Sequence, residues 1–307
     1  MKIAAIGTGG VGGYFGARLQ QAGEEVFFLA RGRHLAAIRE KGLRLESPLG
    51  SATLKVKVYE RPEEIGPVDV VLFAVKLWDT RAAAESIRPL LADGGVVIPF
   101  QNGVESIEML RGILGTRPVM GGSAYIASRI SAPGVVEHIG QMQRLQFGAL
   151  LAEQRPLAER LLAACKKAGI NAELSEDVVR NIWEKFAFLV AVSSATAVAR
   201  APLGVVRADP DLRRLFEQAM RETWTLARAR GIPLADDFIE TRMKHMDSLP
   251  AEMKASMAHD LEAGGKLEAP WLCGAVARMA REVGLEAPVN ATVFAALKPY
   301  LDGKQNP

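Results

Sequence analysis

Residues 1–16 read MKIAAIGTGGVGGYFG, an apolar run followed by clustered glycines. Lys2 to Ile6 is a short apolar run of the kind a strand buried on both faces requires. It passes directly into Gly7-Thr8-Gly9-Gly10-Val11-Gly12, a G-x-G-x-x-G turn. Behind the turn, Tyr14 to Gln21 reads as a helix with Phe15 and Leu19 on one side. Gly7 supplies the tight turn out of the strand, Gly9 lets a pyrophosphate approach the backbone, and Gly12 lets the helix pack closely on the sheet. Free N–H groups at the helix start would face the phosphates. Strand, glycines and helix in this order predict a dinucleotide site.

The rest of the chain is consistent with two domains. Its 307 residues are 49% hydrophobic, enough for two cores. A net charge of +3 without dense Lys/Arg runs argues against a nucleic-acid partner. Cys165 and Cys273 form no metal or redox spacing, the four histidines form no zinc motif, and no metal site is expected. The chain is expected to open on a strand rather than a signal peptide, and no apolar run is expected to reach the roughly 18 residues of a membrane span. The expectation is a cytoplasmic enzyme with no membrane partner.

Glu25 to Leu29 reads as the second strand, followed by Ala30-Arg31-Gly32-Arg33. An NAD-preferring fold places an acid here for the ribose 2′-hydroxyl. An arginine can pair with a 2′-phosphate, which a carboxylate would repel. Arg31 therefore points to NADPH, and Arg33 less directly so. His34 to Lys41 reads as helix, and residues 43–58 as a hairpin-like excursion around Pro48 to Ser51. Val70 to Val75 is a further central strand ending at Lys76, and Gly95 to Pro99 another, running into Gln101-Asn102-Gly103. Ligands of open α/β sheets lie beyond the carboxyl ends of the strands, where Lys76 and Asn102 stand. Thr80 to Leu91, Glu105 to Leu114 and Arg155 to Ala168 read as helices. Met120 to Ile126, Gly134 to Ile139 and Gln143 to Phe147 read as strands completing one mixed sheet, with Ile170 to Leu174 a last short strand.

From Asp177 onward only helical periodicity is evident, which places the domain boundary between residues 174 and 175. The fold class is an N-terminal Rossmann-type dinucleotide-binding α/β domain, residues 1–174, followed by an all-α domain, residues 175–307. Lys185, Leu189, Ser193 and Thr196 share one face of the first long helix. Lys185 sits in an otherwise apolar run, where it either snorkels outward or stands in a cleft with a lowered pKa. Met243, Met246, Met253 and Met257 suit either a core or the surface of a homodimer.

The glycine motif, Val75-Lys76, Gln101-Asn102-Gly103, Trp183-x-Lys185, Ser256-Met257-x-x-Asp260 and Glu268 occur in the order seen in the ketopantoate reductase (2-dehydropantoate 2-reductase) family. The chain resembles that family over nearly its whole length. The resemblance implies a Rossmann domain followed by a helical domain, an active site in the cleft between them, and NADPH-dependent reduction of a 2-oxo acid, with 2-dehydropantoate giving D-pantoate. It implies Lys185 as the catalytic proton donor and Glu268 as its active-site carboxylate. Asn102 and Ser256 match residues that hold substrate or nicotinamide, Lys76 matches a cofactor-side lysine, and Arg31 the 2′-phosphate contact. Gly7 to Gly12, with Thr8 and Val11, complete the implied cofactor site.

Two departures from the family pattern bear on the substrate. Leu189 and Ser193 occupy positions that are commonly substrate-binding asparagines, and Ala269-Pro270 follow Glu268 where Ile-Asp is usual. The pocket is expected to favour a more apolar 2-oxo acid than one rich in hydroxyls. The alternatives are a related reductase acting on another oxo acid, or an NADPH-binding protein without turnover.

Overall fold

The computed structural model describes residues 1–303. The chain divides into two compact units. The first comprises residues 1–101 and 105–178, the second residues 102–104 and everything from 179 onward. The division thus falls four residues beyond the 174/175 boundary read from the sequence, and the short Asn102–Val104 segment groups with the helical unit.

The strands are β1 (Lys2–Ile6), β2 (Glu25–Leu29), β3 (Leu43–Glu46), β4 (Ala52–Leu54), β5 (Lys57–Tyr59), β6 (Val70–Phe73), β7 (Val96–Pro99), β8 (Gly121–Ala132), β9 (Val135–Gly148) and β10 (Asn171–Leu174). The first unit's helices are α1 (Gly10–Gln21), α2 (Gly32–Lys41), α3 (Thr80–Ser86), α4 (Ser106–Leu114) and α5 (Arg155–Lys167). Its main sheet has the order β5-β2-β1-β6-β7, and every pair is parallel.

The near-continuous apolar strands follow from burial on both faces. Ile3, Ala5, Val26, Phe28, Val70 and Leu72 pack with Tyr14, Phe15 and Leu19 of α1 on one side. Ala4, Ile6, Phe27, Leu29, Val71 and Phe73 pack with Ala83 and Ala84 of α3 and Leu110 of α4 on the other. Gly7 leaves β1 at φ +93°, a backbone few side chains tolerate. A Cβ on Gly12 would lie 2.4 Å from the Gly7 carbonyl oxygen, so the helix can sit this close to the turn only without a side chain there.

Three readings of the sequence need correction. The strands after Met120 do not finish the parallel sheet. They form a second sheet of order β10-β9-β3-β4, with β8 paired to β9. The two expected strands over 134–139 and 143–147 are one long strand, because the register jumps from Ile126↔Gln143 to Ala127↔Ile139 and loops out residues 140–142. His138 Nε2 bonds the Met142 carbonyl at 3.0 Å across that bulge. The glycine that enters the bulge looks like a strand break in one dimension and is a bulge in three. The helix expected over Thr80–Leu91 stops at Ser86 and continues as a 3₁₀ stretch over Arg88–Gly94. Pro89 lacks the N–H that a continuing α-helix would need.

The second unit consists of α6 (Val178–Ala199, entered from the first unit at Val178), α7 (Leu203–Ala208), α8 (Pro210–Ala229), α9 (Phe238–Ser248), α10 (Ser256–Ala263), α11 (Cys273–Glu282) and α12 (Pro288–Leu297). Helix α6 runs between two apolar clusters. Trp183, Phe186 and Val190 face Leu226, Leu261, Leu272 and Val276, while Ala187, Ala191 and Ala195 face Phe216, Met220 and Phe238. By length and composition alone α6 could cross a membrane, contrary to the sequence reading, but 67% of its most apolar window is buried against protein. That makes it the core helix of this unit. Met243 and Met246 are buried in one cluster with Met253 packed against it, and Met257 is buried in the other, so these methionines belong to the interior of this unit.

Candidate active site

The first unit brings residues read from the sequence as cofactor-binding to the carboxyl ends of adjacent parallel strands. The glycine turn follows β1, Arg31 follows β2, and Lys76 follows β6. Thr8 is buried, and both its N–H and its Oγ1 donate to the Leu29 carbonyl, at 3.1 and 2.8 Å. The turn is therefore fastened to the end of the neighbouring strand. A Cβ built on Gly9 would meet nothing within 4 Å, so the outer face of the turn is open to an approaching anion. Helix α1 begins at Gly10, buries Gly12 and has no acid in its first turn, so its N-terminal dipole is not cancelled. Val11 is half-buried against the core of this unit. Arg31 and Arg33 are exposed, and residues 30–33 include no acid. These features fit a phosphate-bearing dinucleotide. Lys76 is exposed, with its ammonium 5.5 Å from the centroid of the Trp78 ring.

Gln101 has a role that the sequence reading did not assign. Its Nε2 donates to the Val75 carbonyl and to Thr80 Oγ1, both at 2.8 Å, and so ties the end of β7 to the segment carrying Lys76. A polar residue immediately before Asn102, at a strand's end, was the available signal.

In the second unit, Lys185, Asn102 and Glu268 form one hydrogen-bonded row. Lys185 Nζ donates to Asn102 Oδ1 at 3.3 Å, and Asn102 Nδ2 donates to Glu268 Oε2 at 3.2 Å. The two charges fix which way the amide faces, because an ammonium can only donate and a carboxylate only accept. Glu268 is buried and precedes the 3₁₀ turn Ala269–Trp271, whose Trp271 N–H bonds its carbonyl at 3.0 Å. Proline and alanine after Glu268 therefore build the turn that presents it. Burial draws the Lys185 ammonium down from 10.5 to about 8, against the attraction of the Glu268 carboxylate.

The remaining positions read from the sequence stand apart from that row. Leu189 is half-buried and packs against the cluster containing Trp183 and Phe186. Ser193 is fully buried with its Oγ unpartnered. Thr196 turns its hydroxyl to the Val192 carbonyl at 2.7 Å and accepts the Ala255 N–H at 3.4 Å. Ser256 is exposed at the start of α10. Among the described residues no group of histidine, cysteine and acidic side chains could hold a metal ion.

A parallel Rossmann-type sheet with a glycine turn after its first strand, joined to a helical unit in which a half-buried lysine and amide lead to a buried carboxylate, defines an oxidoreductase of the two-unit dehydrogenase kind. The sequence pattern described as ketopantoate reductase PanE/ApbA matches residues 3–152, and that of its C-terminal part matches residues 177–301. The chain belongs to the ketopantoate reductase family. It is 31% identical to the "Uncharacterized oxidoreductase YkpB" of Bacillus subtilis (strain 168), over 98% of this chain and 99% of that protein. It is 29% identical to a 2-dehydropantoate 2-reductase of Nostoc sp., covering 99% of this chain and 96% of that one. The solved structure of 2-dehydropantoate 2-reductase from Geobacter metallireducens GS-15 superposes with a TM-score of 0.90 at 32% identity, over 97% of this chain and 99% of that chain.

Proposed function

We propose that the protein reduces a 2-oxo acid to the 2-hydroxy acid with NADPH, and that 2-dehydropantoate, giving D-pantoate, is its leading substrate. The observation that carries the reading is the Lys185–Asn102–Glu268 row, with the lysine ammonium held near 8 by burial. NADPH, when bound, supplies the hydride. The N–H groups of the glycine turn and of the first turn of α1 hold the pyrophosphate, Arg31 holds the 2′-phosphate, and Lys76 lies on the cofactor side. Lys185 donates a proton from Nζ to the substrate's C2 carbonyl oxygen, and its charge favours the oxygen as negative charge builds on it. Asn102 orients the ammonium, while Glu268 keeps it protonated and anchors the amide. Ser256 contributes a polar contact to the substrate and Leu189 an apolar wall, whereas Ser193, with no exposed surface, takes no part in this reading. The buried free thiols Cys165 and Cys273, each pushed up to about 12 by burial, suit the reducing cytoplasm.

Following NADPH absorbance with a panel of 2-oxo acids tests this reading. Turnover with 2-dehydropantoate at least matching the other acids supports it. Preference for an unhydroxylated branched acid favours the related-reductase alternative, and absence of turnover with intact NADPH binding favours the non-catalytic one. Arg31→Ala is expected to weaken NADPH by about tenfold to a hundredfold, the loss of one charge-assisted contact, and to leave NADH nearly unchanged. Dissociation constants for both nucleotides check it, and equal losses would contradict the 2′-phosphate role.

Leu189→Asn restores a hydrogen-bonding side chain one turn after Lys185. It is expected to raise the kcat/KM ratio of 2-dehydropantoate over an unhydroxylated branched acid by about tenfold. An unchanged ratio would mean that Leu189 serves only the Trp183–Phe186 cluster.

A further inference from the structure

His34 is the second residue of α2 after Gly32, and its imidazole bonds two backbone groups far apart in sequence. The Gly134 N–H donates to Nδ1 at 3.0 Å, and Nε2 lies 2.8 Å from the Thr8 carbonyl oxygen. A backbone N–H can only donate and a carbonyl can only accept, so Nδ1 is unprotonated and Nε2 carries the hydrogen. One neutral tautomer satisfies both partners, whereas an imidazolium would set N–H against N–H at Gly134. Burial lowers the His34 pKa, opposed by its bond to the Thr8 carbonyl.

The two partners mark what is being joined. Thr8 is the centre of the glycine turn, and its N–H and hydroxyl are already bound to Leu29. The His34 contact engages its remaining backbone group. Gly134 is the turn of the β8–β9 hairpin, and its carbonyl accepts the Arg44 N–H at 2.9 Å. The same hairpin reaches α1, since a Cβ on Gly10 would lie 2.4 Å from the Ser128 carbonyl oxygen. Leu29 and His34 bracket Arg31, so the segment that grips Thr8 from both sides is also the one that presents the guanidinium.

We infer that His34 is a positioning residue for cofactor binding, which clamps the glycine turn between the Arg31 segment and the β8–β9 hairpin. The inference rests on the dinucleotide reading of that turn. The His34 hydrogen bonds go to backbone groups of the glycine turn and the hairpin, so its loss acts on cofactor affinity and leaves the chemical step alone.

The test titrates NADPH and NADH into the full-length wild type, His34→Leu and His34→Gln, with steady-state kinetics alongside. His34→Leu keeps the bulk and removes both bonds. It is expected to raise the Kd and KM for NADPH by about tenfold, with kcat at saturating NADPH within about twofold of wild type. Glutamine carries a donor for Thr8 and an acceptor for Gly134, and should recover most of the affinity. A ¹⁵N spectrum of the wild-type imidazole should show the Nε2–H tautomer. It needs no variant, so it tests the two bonds even if His34→Leu fails to fold, and the His34→Gln titration then tests the affinity. Unchanged NADPH affinity in His34→Leu, glutamine binding no better than leucine, or an Nδ1–H tautomer would each overturn the inference. Wild type that binds neither nucleotide would instead overturn the dinucleotide reading itself, and the positioning role with it.

Discussion

Replacing Lys185 by alanine is expected to lower kcat by about 10²–10⁴, the usual effect of removing a positioned general acid. Hydride addition builds negative charge on the carbonyl oxygen, so an ammonium beside that oxygen favours the transition state over the ground state. NADPH affinity should barely change, because the glycine turn and Arg31 belong to the other unit. Arginine should rescue poorly, since a guanidinium is bulkier and does not give up its proton near neutral pH. Steady-state kinetics with a parallel NADPH titration check this. An alanine variant that folds, binds NADPH and turns over within a few-fold of wild type would make Lys185 structural.

The second large effect concerns two glycines that play different parts in one turn. Gly9→Ala should leave the melting temperature nearly unchanged, because the added Cβ meets no protein atom within 4 Å. It should still weaken NADPH by about tenfold to a hundredfold, since the methyl stands where the pyrophosphate approaches and overpacking of a fitted contact costs about 1–3 kcal/mol. Gly12→Ala should instead lower the melting temperature, because its Cβ would lie 2.4 Å from the Gly7 carbonyl oxygen and 3.2 Å from the Ala74 Cβ. Calorimetric melting of both variants, with NADPH titrations, separates the two. A Gly9→Ala variant that binds NADPH like wild type would place the pyrophosphate elsewhere.

The parallel sheet was legible because its signal is local. Ile3–Ile6, Val26–Leu29 and Val70–Phe73 are unbroken apolar runs, as burial on both faces demands. The glycines after β1 report a backbone constraint that few other residues meet. The second sheet was not legible, because strand order is a long-range property. Nothing in the composition of β8 or β9 says which sheet receives them, and the looped-out residues 140–142 divide one strand into two apparent ones. The α-helix boundary at Ser86 was missed for a smaller reason, a proline three residues beyond the helix end outweighed by a run of alanines.

Within the site, spacing placed Lys185, Leu189, Ser193 and Thr196 on one helix face but could not say what each meets. The structure gives them different surroundings. Lys185 reaches Asn102, Leu189 packs against aromatic core, and Thr196 holds the backbone before α10. The bridge from Lys185 through Asn102 to Glu268 joins residues 83 and 166 positions apart, a relation no local pattern carries. Gln101 stood in a motif without an assigned role, and His34 in none, because each acts through hydrogen bonds to groups distant in sequence.

Glu268→Gln tests the electrostatic part of the row. The carboxylate raises the Lys185 pKa against the downward pull of burial. Neutralising it should therefore lower the lysine further and move the alkaline loss of activity to lower pH. An unmoved limb would mean that Glu268 acts on the substrate alone.

The pH dependence of kcat/KM for the oxo acid, measured in both directions, shows whether Lys185 carries the proton. Reduction requires protonated Lys185, so its rate should fall by about tenfold per pH unit above an ionisation near 8. Oxidation of the hydroxy acid requires the neutral amine, so its rate should rise up to the same ionisation and then level off. Mirror-image limbs sharing one value near 8, displaced together in Glu268→Gln and absent in Lys185→Ala, are the predicted result. No ionisation between about pH 7 and 9, or limbs of the same sign in both directions, would contradict Lys185 as the group that carries the proton.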